Sequence, residues 1–83
     1  MNTKDFLFKV NIILDDIQST EYIDPKTRFG DFKIYIGKVL NINFNQYEVY
    51  YNKTKIPRDC DVGIINITKN DYSPIFFLKK IST

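Results

Sequence analysis

Histidine, tryptophan and alanine are absent from this 83-residue chain, and cysteine occurs once, at Cys60. A single cysteine excludes an internal disulfide and fits a reducing cytoplasm. Without histidine, nucleophilic catalysis at Cys60 lacks its usual base, and Asp59 and Asp61 on either side oppose a thiolate. Cys60 therefore reads as a small apolar filler. Glycine and proline are scarce, three residues each. The glycines form no phosphate-cradling loop, and the scattered prolines mark no linker, so residues 1–83 read as one domain. No stretch reaches the roughly 18 uninterrupted apolar residues of a membrane span. Lys9 and Asn11 interrupt the apolar N-terminal stretch, and no small-residue cleavage site follows it. A cytoplasmic protein with no membrane contact is the expectation.

Hydrophobic residues make up 43% and aromatics 16%, enough for a modest globular core. The net charge of +2 is unevenly spread: residues 1–31 carry four basic and six acidic groups, residues 32–83 eight and four. This is weaker than a dedicated nucleic-acid domain and excludes a strongly acidic DNA mimic. Lysine outnumbers arginine ten to two, and asparagine, isoleucine, tyrosine and phenylalanine abound. Such usage resembles translation from AT-rich DNA, as in low-GC bacteria and their phages.

The most regular stretch is "KIYIGKVLNINFNQYEVYY", Lys33 to Tyr51. Phe32, Ile34, Ile36, Leu40, Ile42 and Phe44 recur with the period of two that places strand side chains on one face. A tight hairpin at Asn45-Gln46 would pair Phe44 with Tyr47, Ile42 with Val49 and Leu40 with Tyr51 on that face. A straight strand from Phe32 to Phe44 would span about 43 Å, longer than a domain roughly 30 Å across. Gly37-Lys38 is therefore read as a bend.

The N-terminal "TKDFLFKVNIILDDIQST" reads as a helix over residues 4–18. Phe6, Leu7, Val10, Ile13, Leu14 and Ile17 form one stripe, with Thr3 as N-cap. The alternative is a strand over residues 5–14, where Phe6, Phe8, Val10, Ile12 and Leu14 alternate. "EYIDPKTRFGD" reads as loop, Lys55-Ile56 as a short strand cut off by Pro57, "VGIINIT" as a strand, Lys69-Asn70-Asp71 as a turn, and "PIFFLKKI" as a last strand apolar on both faces. The predicted fold is α+β, an N-terminal helix packed on a small, strongly bent antiparallel sheet or five-stranded barrel; the alternative is all-β. The spacing of "GKVLNI", "YEV" and "DVGIINI" looks like a small barrel of the oligonucleotide-binding or SH3-like type.

Asp24, Asp31 and Lys33 are too closely spaced for a metal-dependent nuclease, which needs several convergent ligands. Asp15 and Asp16 read as solvated helix residues. No metal and no cofactor are expected, and no enzyme activity. Two surfaces remain. Tyr35, Tyr50, Lys33, Asn41 and Val39 share the odd face of the expected hairpin, with Asn41 opposite Tyr50, and tyrosines beside amides suit a protein interface. Lys53, Lys55 and Arg58, joined by Lys79 and Lys80, could track phosphates while tyrosines stack bases. The expected function is a non-enzymatic small binding module acting by protein contact, as a phage or mobile-element protein inhibiting or redirecting a host enzyme. The alternative is a single-stranded nucleic-acid-binding small β-barrel.

Overall fold

The computed structural model describes residues 7–69, 71 and 73–81. Among them the chain forms β1 (Phe8–Leu14), β2 (Ile17–Ile23), α1 (Phe29–Leu40), a 3-10 turn (Phe44–Gln46), β3 (Tyr47–Tyr51), β4 (Thr54–Lys55), α2 (Ile64–Thr68) and β5 (Ile75–Lys80). The strands make one mixed sheet in the order β2-β1-β5-β3-β4. β1 and β5 run parallel, and every other neighbouring pair is antiparallel. β2 and β4 are edges, so the sheet is open, and α1 lies across one face of it. Phe29, Phe32 and Ile36 from the helix pack with Val10, Ile12, Phe76 and Leu78 from the central strands in one core. The rings of Phe32 and Phe76 sit 5.3 Å apart at their centroids.

This architecture is neither the bent antiparallel sheet or five-stranded barrel under an N-terminal helix nor the all-β alternative. The segment expected to be a helix is a hairpin. Phe8, Val10, Ile12 and Leu14 are all buried, and their alternation outweighs the helical stripe. Asp15-Asp16 is the two-residue turn, with Asp15 at φ 53°, and Ile17, which closed the supposed stripe, begins β2. Thr3, Phe6 and Asn70 lie outside the described residues.

The regular stretch expected to be a long strand is α1. Phe29, Phe32 and Ile36, on one face of a 3.6-residue helix, are buried. Positions 32, 36 and 40 satisfy both periods, which is why a strand also fitted. Ile34 decides between them, since a strand would bury it with Phe32 and Ile36, yet it is 59% exposed. Gly37 is no corner. It lies in the helix, where its carbonyl accepts the N–H groups of Asn41, which sits at φ 55°, and of Ile42, at 3.0 Å from the latter. This is a left-handed cap of the Schellman kind. A side chain at Gly37 would begin 3.3 Å from the Ile42 carbonyl oxygen, so its absence lets the chain turn back tightly. At the other end Arg28 supplies no side-chain cap. Asp61 caps from a distant loop, its Oδ1 accepting the Gly30 N–H at 2.9 Å where the helix dipole favours a carboxylate.

The hairpin is also displaced. Asn45-Gln46 belongs to the 3-10 turn, and β3 pairs with β5 and β4 instead. The tight turn is Asn52-Lys53, at φ 50° and 67°, between the paired residues Tyr51 and Thr54. Both central residues are left-handed, which suits asparagine and strains lysine. Lys53→Gly should therefore raise stability by about 0.5–1 kcal/mol, read as a higher urea midpoint; a lowered midpoint would contradict the turn geometry. "VGIINIT", expected as a strand, holds α2. Ile64 and Thr68, one helical turn apart, are buried. The Ile64 and Ile65 N–H groups donate to the carbonyls of Thr27 and Pro25, so tertiary contacts override a local preference for strand.

Candidate functional site: the open face of the sheet

With Phe8, Val10, Ile12 and Leu14 turned to the helix, the alternate residues of β1 face the other way, and the register carries that choice across the sheet. Among the described residues no element covers this second face. Its centre is apolar. Phe77 of β5 pairs with Ile13 of β1 on one side and with Tyr50 of β3 on the other. Ile75 precedes it on the same face. Phe77 is 46% and Ile75 43% exposed, whereas Phe76 between them is fully buried. β5 thus has two apolar rows and only one of them has a core to enter.

Polar groups frame this strip. At one end Thr20 donates to Asn11 at 2.9 Å, and Asn11 donates to Ser73 at 3.3 Å. At the other, Glu48 accepts the Tyr50 hydroxyl at 2.7 Å and pairs with Lys55 at 3.1 Å, while Lys79 is its partner across the strands. The Tyr50 hydroxyl and then Lys55 hold the Glu48 carboxyl below its usual range. In return the Glu48 carboxylate raises the tyrosine above its own. The ring of Tyr50 is thereby fixed beside Phe77. This arrangement presents shape, apolar area and oriented charge.

Of the residues expected to meet a protein, Tyr50 lies here. Tyr35, Lys33 and Val39 are on α1, behind the sheet, and Asn41 ends that helix rather than facing Tyr50. Tyr35 donates to Glu21 at 3.1 Å, and this bond to a carboxylate, chiefly, raises its pKa. Lys33 donates to the Arg58 carbonyl at 3.0 Å and stands 5.6 Å from the Phe29 ring centroid. The expected basic residues come together in part: Lys55 and Arg58 line one pocket, and Arg58 and Lys80 another. Lys53 is in a turn, Lys55 is paired, and Arg58 donates to the Asn45 carbonyl at 3.1 Å. Lys79 and Lys80, consecutive in β5, take opposite faces. Cys60 is half-buried against the core. Among the described residues no cluster of three or more Cys, Asp or Glu could hold a metal ion, and no helix is long and apolar enough to cross a membrane. Ile13, Ile75 and Phe77 are absent from the surfaces expected from sequence: Ile13 fits the helical stripe, and a last strand apolar on both faces does not say which face meets water. Their signal was present: one helix can cover only one face of a sheet.

No family model and no curated protein sequence matches the chain. Solved structures do. The ubiquitin-like domain of an Arabidopsis thaliana protein has a TM-score of 0.78 at 17% identity, over 93% of this chain and 80% of its own. Ubiquitin from Caldiarchaeum subterraneum has a TM-score of 0.74 at 9% identity, over 93% and 96%. The fold is ubiquitin-like. A third structure, ATBAG1 in complex with HSP70, has a TM-score of 0.70 at 14% identity, over 88% of this chain and 40% of its own. The oligonucleotide-binding or SH3-like barrel is thereby excluded, and with it the single-strand-binding alternative that relied on it. The inhibitor of phage or mobile-element origin falls as well, since the likenesses are to ubiquitin-like domains.

Proposed function

We propose that this chain is a non-enzymatic, ubiquitin-like protein-interaction module that docks a protein partner on the open face of its sheet. The observation that carries the reading is the pair of exposed residues Ile75 and Phe77, beside half-buried Ile13, in the middle of the sheet and away from any edge, with Tyr50 fixed next to them. A folded chain gains nothing by showing phenylalanine and isoleucine side by side to water, and apolar side chains grouped within a polar rim mark binding surfaces. ATBAG1, which shares the fold, is in complex with HSP70, and this supports a protein as the class of partner. The partner would set an apolar side chain against Phe77, with an acidic group within reach of Lys79 or an amide beside Asn11 and Thr20.

The test is affinity capture from cells expressing the tagged chain, with three forms compared. A specific partner should be retained by the wild type and by Ile34→Ser, which alters the exposed side of α1. It should be lost with Phe77→Ser, because truncating a central aromatic anchor costs about 2 kcal/mol or more of binding. Equal melting temperatures for the three forms establish that folding is unchanged. A partner lost with Ile34→Ser and kept with Phe77→Ser would move the interface to the helix.

A further inference from the structure

Besides side chains, the molecule offers main chain. β2 is an edge strand of seven residues in unbroken register with β1. The two-residue turn makes Leu14 and Ile17 a hydrogen-bonded pair, and bonded and non-bonded pairs alternate from there. Asn11, in a non-bonded pair with Thr20, duly sends its N–H the other way, to the Pro74 carbonyl at 2.9 Å. Thr20 and Gln18 therefore turn their own N–H and C=O groups outward, and no described element pairs with them. Of the features that usually blunt such an edge, β2 has a single charge, Glu21, held by the Tyr35 hydroxyl. Ile17–Ile23 contains no proline, no lysine and no bulge, whereas β4 at the opposite edge is two residues long and runs towards Pro57.

Beside this edge, between β2 and α1, lies a groove of about 350 Å³. Buried Ile23 and Phe32 form its floor, and exposed Asp24 and Asp31 its rim. Tyr35 also lines it and reaches β2 by its hydroxyl bond to Glu21. Charge selects the occupant. Asp16, Glu21, Asp24 and Asp31 surround edge and groove against Lys9, which is opposite Tyr22 in the register, and Lys26 in the adjoining turn, while Arg28 is drawn to Asp61 at 3.4 Å. A second copy pairing antiparallel about Thr20 would set Asp16 opposite Asp24 at both ends, and like charges placed so repel.

We propose that β2 and this groove take up an extended basic peptide as an additional strand. Main-chain bonds to Gln18 and Thr20 would hold it. Lysine or arginine stems on its groove side would lie over Ile23 and Phe32, with their charged heads at Asp24 and Asp31. This site does not depend on the open face, with which it shares only Thr20, whose side chain belongs to that face and whose main chain belongs to this edge.

The probe is an acetylated, amidated Lys-Val-Lys-Val-Lys-Val-Lys peptide, titrated into the ¹⁵N-labelled chain. Shift changes should concentrate on β2, and the Gln18 and Thr20 amides should exchange more slowly with solvent. Binding should weaken about tenfold or more in the Asp24→Asn/Asp31→Asn double variant. It should disappear in Thr20→Pro, which removes the outward N–H while keeping the backbone pairing with β1, and persist in Thr20→Val, which loses only the hydroxyl bond to Asn11. The matching Glu-Val peptide should not bind. Shifts centred on Ile75 and Phe77, equal binding of the Glu-Val peptide, binding undiminished by Thr20→Pro, no response to the Lys-Val peptide, or sedimentation showing self-association through β2 would each overturn the proposal.

Discussion

Phe76→Ala is expected to remove about 3–5 kcal/mol of stability, while Phe77→Ala, one residue along the same strand, should cost about 1 kcal/mol or less. Phe76 is fully buried, and its ring centroid lies 5.3 Å from that of Phe32, 5.5 Å from Tyr51 and 6.3 Å from Phe29. Deleting it leaves a cavity where the helix, β3 and β5 meet, and three rings cannot collapse together to fill it. Small domains hold about 5–15 kcal/mol in total, so this one substitution should remove a large share of the stability. Phe77 rests on Ile13 and Tyr50 with its other side in water, so its loss forfeits part of one cross-strand contact. Urea midpoints of the two variants measure the contrast directly. Equal losses would mean that the second face of β5 is covered after all.

Ile36→Ala should cost about 2–5 kcal/mol, and Ile34→Ala about 0.5 kcal/mol or less. Both residues belong to the alternating set of a strand running from Phe32 to Phe44, and a strand would make the two substitutions equivalent. In α1 they point apart: Ile36 is fully buried against the sheet and Ile34 stands in water. Alanine is also the best helix former, which offsets what little Ile34 contributes. Thermal melts of the pair therefore separate the two readings of the same stretch, and a comparable drop for both would return it to a strand.

That stretch shows where the sequence misleads. Phe32, Ile36 and Leu40 fit periods of 2 and of 3.6 alike, and Ile34, Ile42 and Phe44 tip the count towards a strand although only the first of these three lies in the helix. Phe29, one turn before Phe32, is the discriminating residue, and Pro25 and Gly30 near it favour a loop reading. The opposite error occurred in residues 8–14, where a clean alternation was set aside for a stripe that runs on to Ile17. There Asp15-Asp16 was the signal, since two short polar residues between apolar runs are turn chemistry. The short length of α2 and its ties to Thr27 and Pro25 depend on contacts between distant segments, which no local pattern encodes. At the candidate site Tyr50 was legible as an aromatic on a strand beside polar residues. Ile13, Ile75 and Phe77 were not, because which row of a doubly apolar strand meets water depends on the side where the helix packs.

The sheet order gives β5 a second role. Among the described residues it alone joins the β1-β2 ribbon to the β3-β4 ribbon, and its partner β1 is the earliest of the described strands. During synthesis on the ribosome the two ribbons emerge as separate pieces, each too small to be stable in water, and they stay apart until residues 75–80 have cleared the exit tunnel. Closing so long a loop before any contact rewards it slows folding relative to a helical bundle of the same size. Until then the nascent chain exposes Val10, Ile12 and Phe32 together, and the sheet is completed upon the arrival of one six-residue segment.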